Sequence, residues 1–127
     1  MAVVVGFIPT EVGFKALNAA HEEAQRRGGP LIVVNVLRDG VAEDPRHADE
    51  QQLEIARDQL RRATVRVEFR QEHTEDDIAD VLLQVVEEEQ AELLVLGVRR
   101  HQDLARHLLG LTVQKLLISA DSEVLVV

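Results

Sequence analysis

The chain has 127 residues, 46% of them hydrophobic, which is enough for one domain with a single core that buries roughly two-thirds of the surface its unfolded chain exposes. Fourteen basic against 23 acidic side chains give a net charge of −9, and a field of that sign opposes nucleic acids and anionic membrane surfaces. With no cysteine there is no disulfide, no thiolate metal site and no thiol nucleophile.

The elements follow in chain order. Short β-branched runs alternate with longer amphipathic ones, the pattern of βαβ units around a parallel sheet. The opening "MAVVVGFIPT" lacks the charged start and long apolar stretch of a signal peptide, so a cytoplasmic protein is expected, and no run reaches transmembrane length. Within that opening, Ala2 to Ile8 is the first predicted strand. Thr10 caps a first helix that ends at Gly28 and Gly29 and buries Ala16, Leu17, Ala20 and Ala24. Leu31 to Leu37 is the second strand. The polar stretch from Arg38 to Glu50 is a loop, and a second helix from His47 to Arg62 turns Leu53, Ala56 and Leu60 inward. Thr64 to Arg70 alternates Val65, Val67 and Phe69 with Arg66, Glu68 and Arg70, which marks an edge strand. Thr74 is placed as the cap of a third helix, in a capping-box arrangement with Asp77, and Ile78, Val81, Leu82, Val85 and Val86 form its apolar stripe. Leu93 to Gly97 is the fourth strand. A fourth helix opens near Gly110 with Val113, Leu116 and Leu117 inward, and Glu123 to Val127 is the fifth strand.

Taken together, "VVVGFIPTEVGFKAL", "GGPLIVVNVL", "EEEQAELLVLGVRR" and "GLTVQKLLISADSEVLVV" resemble the universal stress protein family, in order and over the whole chain, residues 1–127. The resemblance implies a single domain with a three-layer αβα sandwich of the Rossmann-like, adenine-nucleotide-alpha-hydrolase-like type. It implies a five-stranded parallel sheet in the order 3-2-1-4-5 and a homodimer joined along the last strand, Val124, Leu125, Val126 and Val127. It also implies a nucleotide groove, here comprising Ile8, Val36, Gly97, Arg99, Arg100, Gly110, Leu111 and Thr112. Family members that bind ATP carry glycine, two residues, glycine, nine residues, then glycine followed by Ser or Thr. Gly97 and Gly110 match the first and last glycines, whereas Arg100 replaces the middle one and Leu111 the hydroxyl residue. Ile8 stands where those members have an adenine-contacting aspartate.

Physical chemistry points the same way. A Cβ at Arg100 limits the backbone freedom and close amide approach of a phosphate loop, Leu111 has no hydroxyl to donate, and Ile8 has no acceptor. Gly97 and Gly110 read either as phosphate glycines or as a strand-end turn and a helix start. The segment "RRHQDLARHLL" carries Arg99, Arg100, His101, Arg106 and His107. These side chains could grip a phosphate beside a helix N-terminus, or decorate a solvated helical turn whose Leu104, Leu108 and Leu109 recur at helical spacing.

No metal site is expected, because His47, His73, His101 and His107 lack ligand spacing, and His21 reads as a rim histidine. No catalytic residue is assigned: no Ser-His-Asp set or carboxylate pair can be assembled, and Lys15 and Lys115 do not follow a glycine-rich loop. The leading expectation is a dimeric interaction module of the stress response with no tightly bound cofactor and weak or no ATP binding. The alternative is a nucleotide-binding switch for ATP or AMP, with slow hydrolysis as an added activity. The final apolar strand would otherwise leave an open sheet edge, so its expected partner is a second copy.

Overall fold

Alternation of strand and helix holds along the chain: β1 (Val3–Gly6), α1 (Glu11–Arg27), β2 (Leu31–Arg38), α2 (Glu50–Gln59), β3 (Val67–Thr74), α3 (Ile78–Glu88), β4 (Leu93–Leu96), α4 (Leu111–Ser119) and β5 (Glu123–Val126). The computed structural model describes residues 1–40, 44–98 and 111–127. The five strands form one parallel sheet in the order β3-β2-β1-β4-β5. Gly6 is level with Val34 on one side and Leu96 on the other, so β1, β2 and β4 present their C-terminal ends together. At that line the crossovers leave β1 in opposite directions, the place where open α/β sheets form their crevice.

Because strand residues alternate in direction, β1, β2 and β4 supply two cores. Val3, Val5, Leu31, Val33, Leu93 and Val95 join Ala16, Leu17 and Ala20 of α1 and Leu53 and Ala56 of α2. Val4, Ile32, Val34, Val36, Leu94 and Leu96 join Leu82, Val85 and Val86 of α3 and Leu116 of α4. A strand buried on both faces is apolar at nearly every position, which is why these three read as near-continuous runs, broken in the buried part of β2 by Asn35. Full burial of each Val or Leu stabilises the fold by about 1.5–3 kcal/mol relative to exposure.

Several boundaries differ from those expected of the sequence, and each difference has a local cause. Thr74 does not cap α3. β3 runs on to Thr74, which pairs with Arg38 of β2, and its carbonyl accepts the Asp39 N–H at 2.8 Å. The cap is Asp77, whose carboxylate accepts the Ala79 N–H at 2.9 Å. Likewise β3 starts at Val67, not Thr64, and Val65 remains packed against the α1–α2 core. Asp49, not His47, opens α2 through a reciprocal capping box with Gln52. Leu117 is 42% exposed, so the inward residues of α4 are Leu116, fully buried, and the half-buried Val113. The expected start of α4 at Gly110 lies outside the described residues. Thr10 does cap α1, accepting the Gly13 N–H at 3.2 Å, and Gly28 ends it at φ 67°. α4 is tied to α3 at its polar edge, where Lys115 Nζ reaches Asp77 at 2.9 Å and Asp80 at 2.8 Å.

Candidate functional site

A cavity of about 140 Å³ opens at the C-terminal ends of β1, β2 and β4. Its floor is Gly6, Val34, Val36 and Leu96 from the strands; Phe7, Ile8 and Gly97 follow the strand ends, and Ile78, Leu82, Thr112, Val113 and Leu116 close it from α3 and α4. Arg46, from the loop before α2, is the one cation among the described lining residues.

Ile8 is set there by the start of α1. Its carbonyl accepts the Thr10 N–H at 2.8 Å, and a Cβ at Gly13 would fall 1.7 Å from that same oxygen. Only glycine lets the first turn of α1 press so closely on the chain after β1. Gly97 has a comparable reason to be glycine, since a Cβ there would lie 2.7 Å from the Val12 carbonyl oxygen. Packing against α1 therefore accounts for Gly97 without a phosphate.

Two backbone acceptors at this end are engaged. The Phe7 carbonyl accepts from Asn35 Nδ2 at 2.9 Å, and the Leu96 carbonyl accepts the Val127 N–H at 2.8 Å. Among the described lining residues no side chain is acidic, and Arg46 and Thr112 alone are polar. An adenine amino group seated among them would find no carboxylate.

Of the residues expected in the groove, Ile8, Val36, Gly97 and Thr112 come together in this cavity. Leu111 does not: it is 84% exposed and takes no part in the lining. Arg99, Arg100 and Gly110 lie outside the described residues. Val124 packs toward the α3–α4 core, Leu125 and Val127 toward the α1–α2 core, all half-buried at the sheet's outer strand. His21 is half-buried with its Nε2 covered and without a hydrogen-bond partner. Among the described residues no group of three His, Asp or Glu could hold a metal ion.

Two residues that matter here escape a reading of hydrophobic pattern. Asn35, 1% exposed in the middle of "LIVVNVL", donates from Nδ2 to the carbonyls of Phe7 and Arg46, at 2.9 and 2.8 Å. Its Oδ1 accepts the Ala48 N–H at 3.0 Å and Gln71 Nε2 at 3.2 Å. A polar residue interrupting an apolar strand was the available signal, because a buried amide survives only when fully hydrogen-bonded. The second is Arg46. Its Nε and Nη2 donate to the two Asp44 oxygens at 2.9 and 2.7 Å, and its backbone N–H donates to Asp44 Oδ1 at 2.9 Å. These guanidinium hydrogen bonds hold the Asp44 carboxyl at about 2, below its usual 3.8, and raise Arg46 in turn. The signal was weak, since the Asp-x-Arg spacing lies in a loop where such pairs are common.

A doubly wound parallel sheet with an apolar crevice at its switch point defines a Rossmann-like αβα domain. Comparison with known proteins makes that specific. The universal stress protein family model matches residues 1–127. A universal stress protein of Mycolicibacterium smegmatis is 32% identical over 125 residues, covering 98% of this chain and 95% of that protein. The chain belongs to the universal stress protein family. Among solved structures, the universal stress protein from Archaeoglobus fulgidus superposes with a TM-score of 0.78 at 22% identity, covering 98% of this chain and 90% of that one. A universal stress protein in complex with cAMP gives 0.78 at 23% identity, over 100% and 95%. The Archaeoglobus fulgidus protein in complex with dAMP gives 0.70 at 21%, over 98% and 94%. At these identities the structural likeness speaks for the fold.

Proposed function

We propose that this chain, as one domain over residues 1–127, is a dimeric interaction module of the stress response in which ATP binding is weak or lost. The observation that carries this reading is the lining of the switch-point cavity. Ile8 occupies the position where the family's ATP-binding members have an aspartate, and neighbouring acceptors are already engaged. At about 140 Å³ the cavity is also below the roughly 300–1,000 Å³ typical of sites for larger ligands. Leu111 supplies no hydroxyl and faces solvent.

Dimerisation is supported by the position of β5. It is an outermost strand paired with β4, so among the described residues its other edge has unpaired N–H and C=O groups. A shallow groove beside it, with Phe14, Ala19 and Val127 in its lining, adds apolar surface that a second copy would cover. A two-fold axis makes such pairing antiparallel and isologous.

The test of the nucleotide part is thermal unfolding in millimolar ATP with protein stripped of carried-over nucleotide. Saturation at a hundredfold over the dissociation constant adds roughly 2.7 kcal/mol, and a shift of that size would overturn the reading. Ile8→Asp, Arg100→Gly and Leu111→Ser together should restore binding. For the dimer, light scattering should give twice the chain mass, reduced to a monomer by Val126→Lys; a monomer mass for the unaltered chain overturns it.

A second reading, a regulatory switch that binds AMP-like nucleotides and hydrolyses ATP slowly, has its own support. Two solved relatives are complexes with cAMP and dAMP, and the cavity lies at the crevice where α/β sheets bind ligands. Titration of AMP and cAMP beside ATP separates the two readings.

A further inference from the structure

The cavity is a mismatch for a nucleotide, yet it is not featureless. Ile8, Val36, Ile78, Leu82 and Leu116 make an apolar chamber of about 140 Å³. An apolar cavity of about 150 Å³ stays dry and admits benzene. Among the described lining residues Arg46 is the one cation and none is acidic, in a chain of net charge −9.

Arg46 is held on two sides. Its carbonyl accepts from the buried Asn35 amide at 2.8 Å, which ties the loop to β2. Its guanidinium is fixed edge-on by Asp44, whose side chain is 4% exposed, through Nε and Nη2 at 2.9 and 2.7 Å. Nη1 makes no hydrogen bond among the described contacts. A guanidinium has five donors in a planar fork, so pairing with one carboxylate leaves others for a second anion while Asp44 keeps the cation from being buried alone.

We infer that this cavity binds a small monocarboxylic acid with a compact apolar body, about the size of benzoate, whose carboxylate is received by Arg46. The inference rests on the reading above that the groove does not hold ATP. The chemistry favours a carboxylate over other heads. A neutral head would leave Arg46 without a ligand partner. A phosphate would bring more charge and more oxygens than the fork and the Thr112 hydroxyl of the described lining can satisfy, and unsatisfied charge against apolar walls is costly. Apolar substituents on the acid, in contrast, meet the apolar side chains of Ile8, Val36, Ile78, Leu82 and Leu116.

Calorimetric titration of the full chain in phosphate-free buffer tests this, with benzoate, benzyl alcohol, inorganic phosphate and ATP as separate probes. Benzoate should bind saturably with one site per chain and at least about tenfold more tightly than benzyl alcohol, the worth of a charge-assisted hydrogen bond. Arg46→Gln should abolish that preference; Arg46→Lys, which keeps the charge and loses the fork, should fall between. Ile8→Asp should remove benzoate binding, and its fold can be verified by circular dichroism. Benzoate binding no better than benzyl alcohol, a preference that survives Arg46→Gln, or phosphate displacing benzoate at equal concentration would each overturn the assignment. Tight ATP binding would overturn the proposed function on its own arm, whereas failure of benzoate alone would sink only the carboxylate.

Discussion

The C-terminal end of β2 treats its two faces in opposite ways. Asn35 points to the α1–α2 side and is saturated with four hydrogen bonds, to Phe7, Arg46, Ala48 and Gln71. One residue on, Val36 points to the α3–α4 side and borders the apolar chamber. The first face is specified by polar groups that tolerate no substitute; the second has room. A family fold that places ligand chemistry at a switch point can thus keep its architecture through one face while the other face changes what it accepts.

The largest effect should come from the saturated face. Asn35→Leu keeps the size but strands the Ala48 N–H and the carbonyls of Phe7 and Arg46. Buried groups left unpaired cost about 1–3 kcal/mol each, and partial access to water reduces the sum, so urea unfolding should show a loss of about 4 kcal/mol. Near-wild-type stability would mean that these groups reach water and that the network does not specify the loop before α2. On the chamber side, Leu116→Ala removes a fully buried side chain that lines the chamber. The expected cost is about 3 kcal/mol, read from the same unfolding curves, because α4 cannot collapse onto a cavity it helps to enclose.

How much of this was legible in the sequence follows the same division. The alternation of strands and helices, the buried stripes of α1 and α3 and the Thr10 cap depend on periodicity and local capping, which sequence displays directly, whereas the strand order 3-2-1-4-5 came from the family resemblance. The α3 cap was misread because Thr74 and Asp77 are both competent caps, and only the pairing of Thr74 with Arg38 across the sheet decides between them. At the site, Ile8, Val36, Gly97 and Thr112, which line one cavity, were expected through family resemblance alone, since nothing in their own chemistry marks them. Asn35 and Arg46 were missed because their roles exist only after β1, β2, β3 and the loop before α2 meet. Leu111 was included by its place in the family's motif, and in the structure it is exposed and outside the cavity lining.

The loop that joins the two faces carries a pH signature. Asp44 titrates at about 2 in the fold against a usual 3.8, because Arg46 hydrogen-bonds its ionised form. A depressed folded value means that this group's stabilisation is fully present above the usual value and is lost as pH falls through about 2. The melting-temperature difference between the wild type and Asp44→Asn should therefore be constant from pH 7 to about 5, and shrink between about pH 4 and 2. A difference that does not change with pH would show that Asp44 acts through shape and not through its charge.

The smallest effect is the sharpest test of whether the two faces really differ in room. Val36→Ile adds one methyl group on a strand that favours β-branched residues, and it points into the chamber. If the space is free, the added group gains up to about 0.8 kcal/mol of burial. Val5→Ile makes the same change in β1 on the opposite face, within the core shared with Ala16, Leu17 and Ala20. There the methyl has to displace packed neighbours, and overpacking costs about 1–3 kcal/mol. Chemical denaturation of both variants should place Val36→Ile at or slightly above wild type and Val5→Ile below it. The stabilised variant should also bind benzoate more weakly, since the methyl takes part of the ligand's volume. If Val36→Ile instead loses as much as Val5→Ile, the chamber does not accept a methyl, and a ligand with the bulk of benzoate would have no place beside Val36 either.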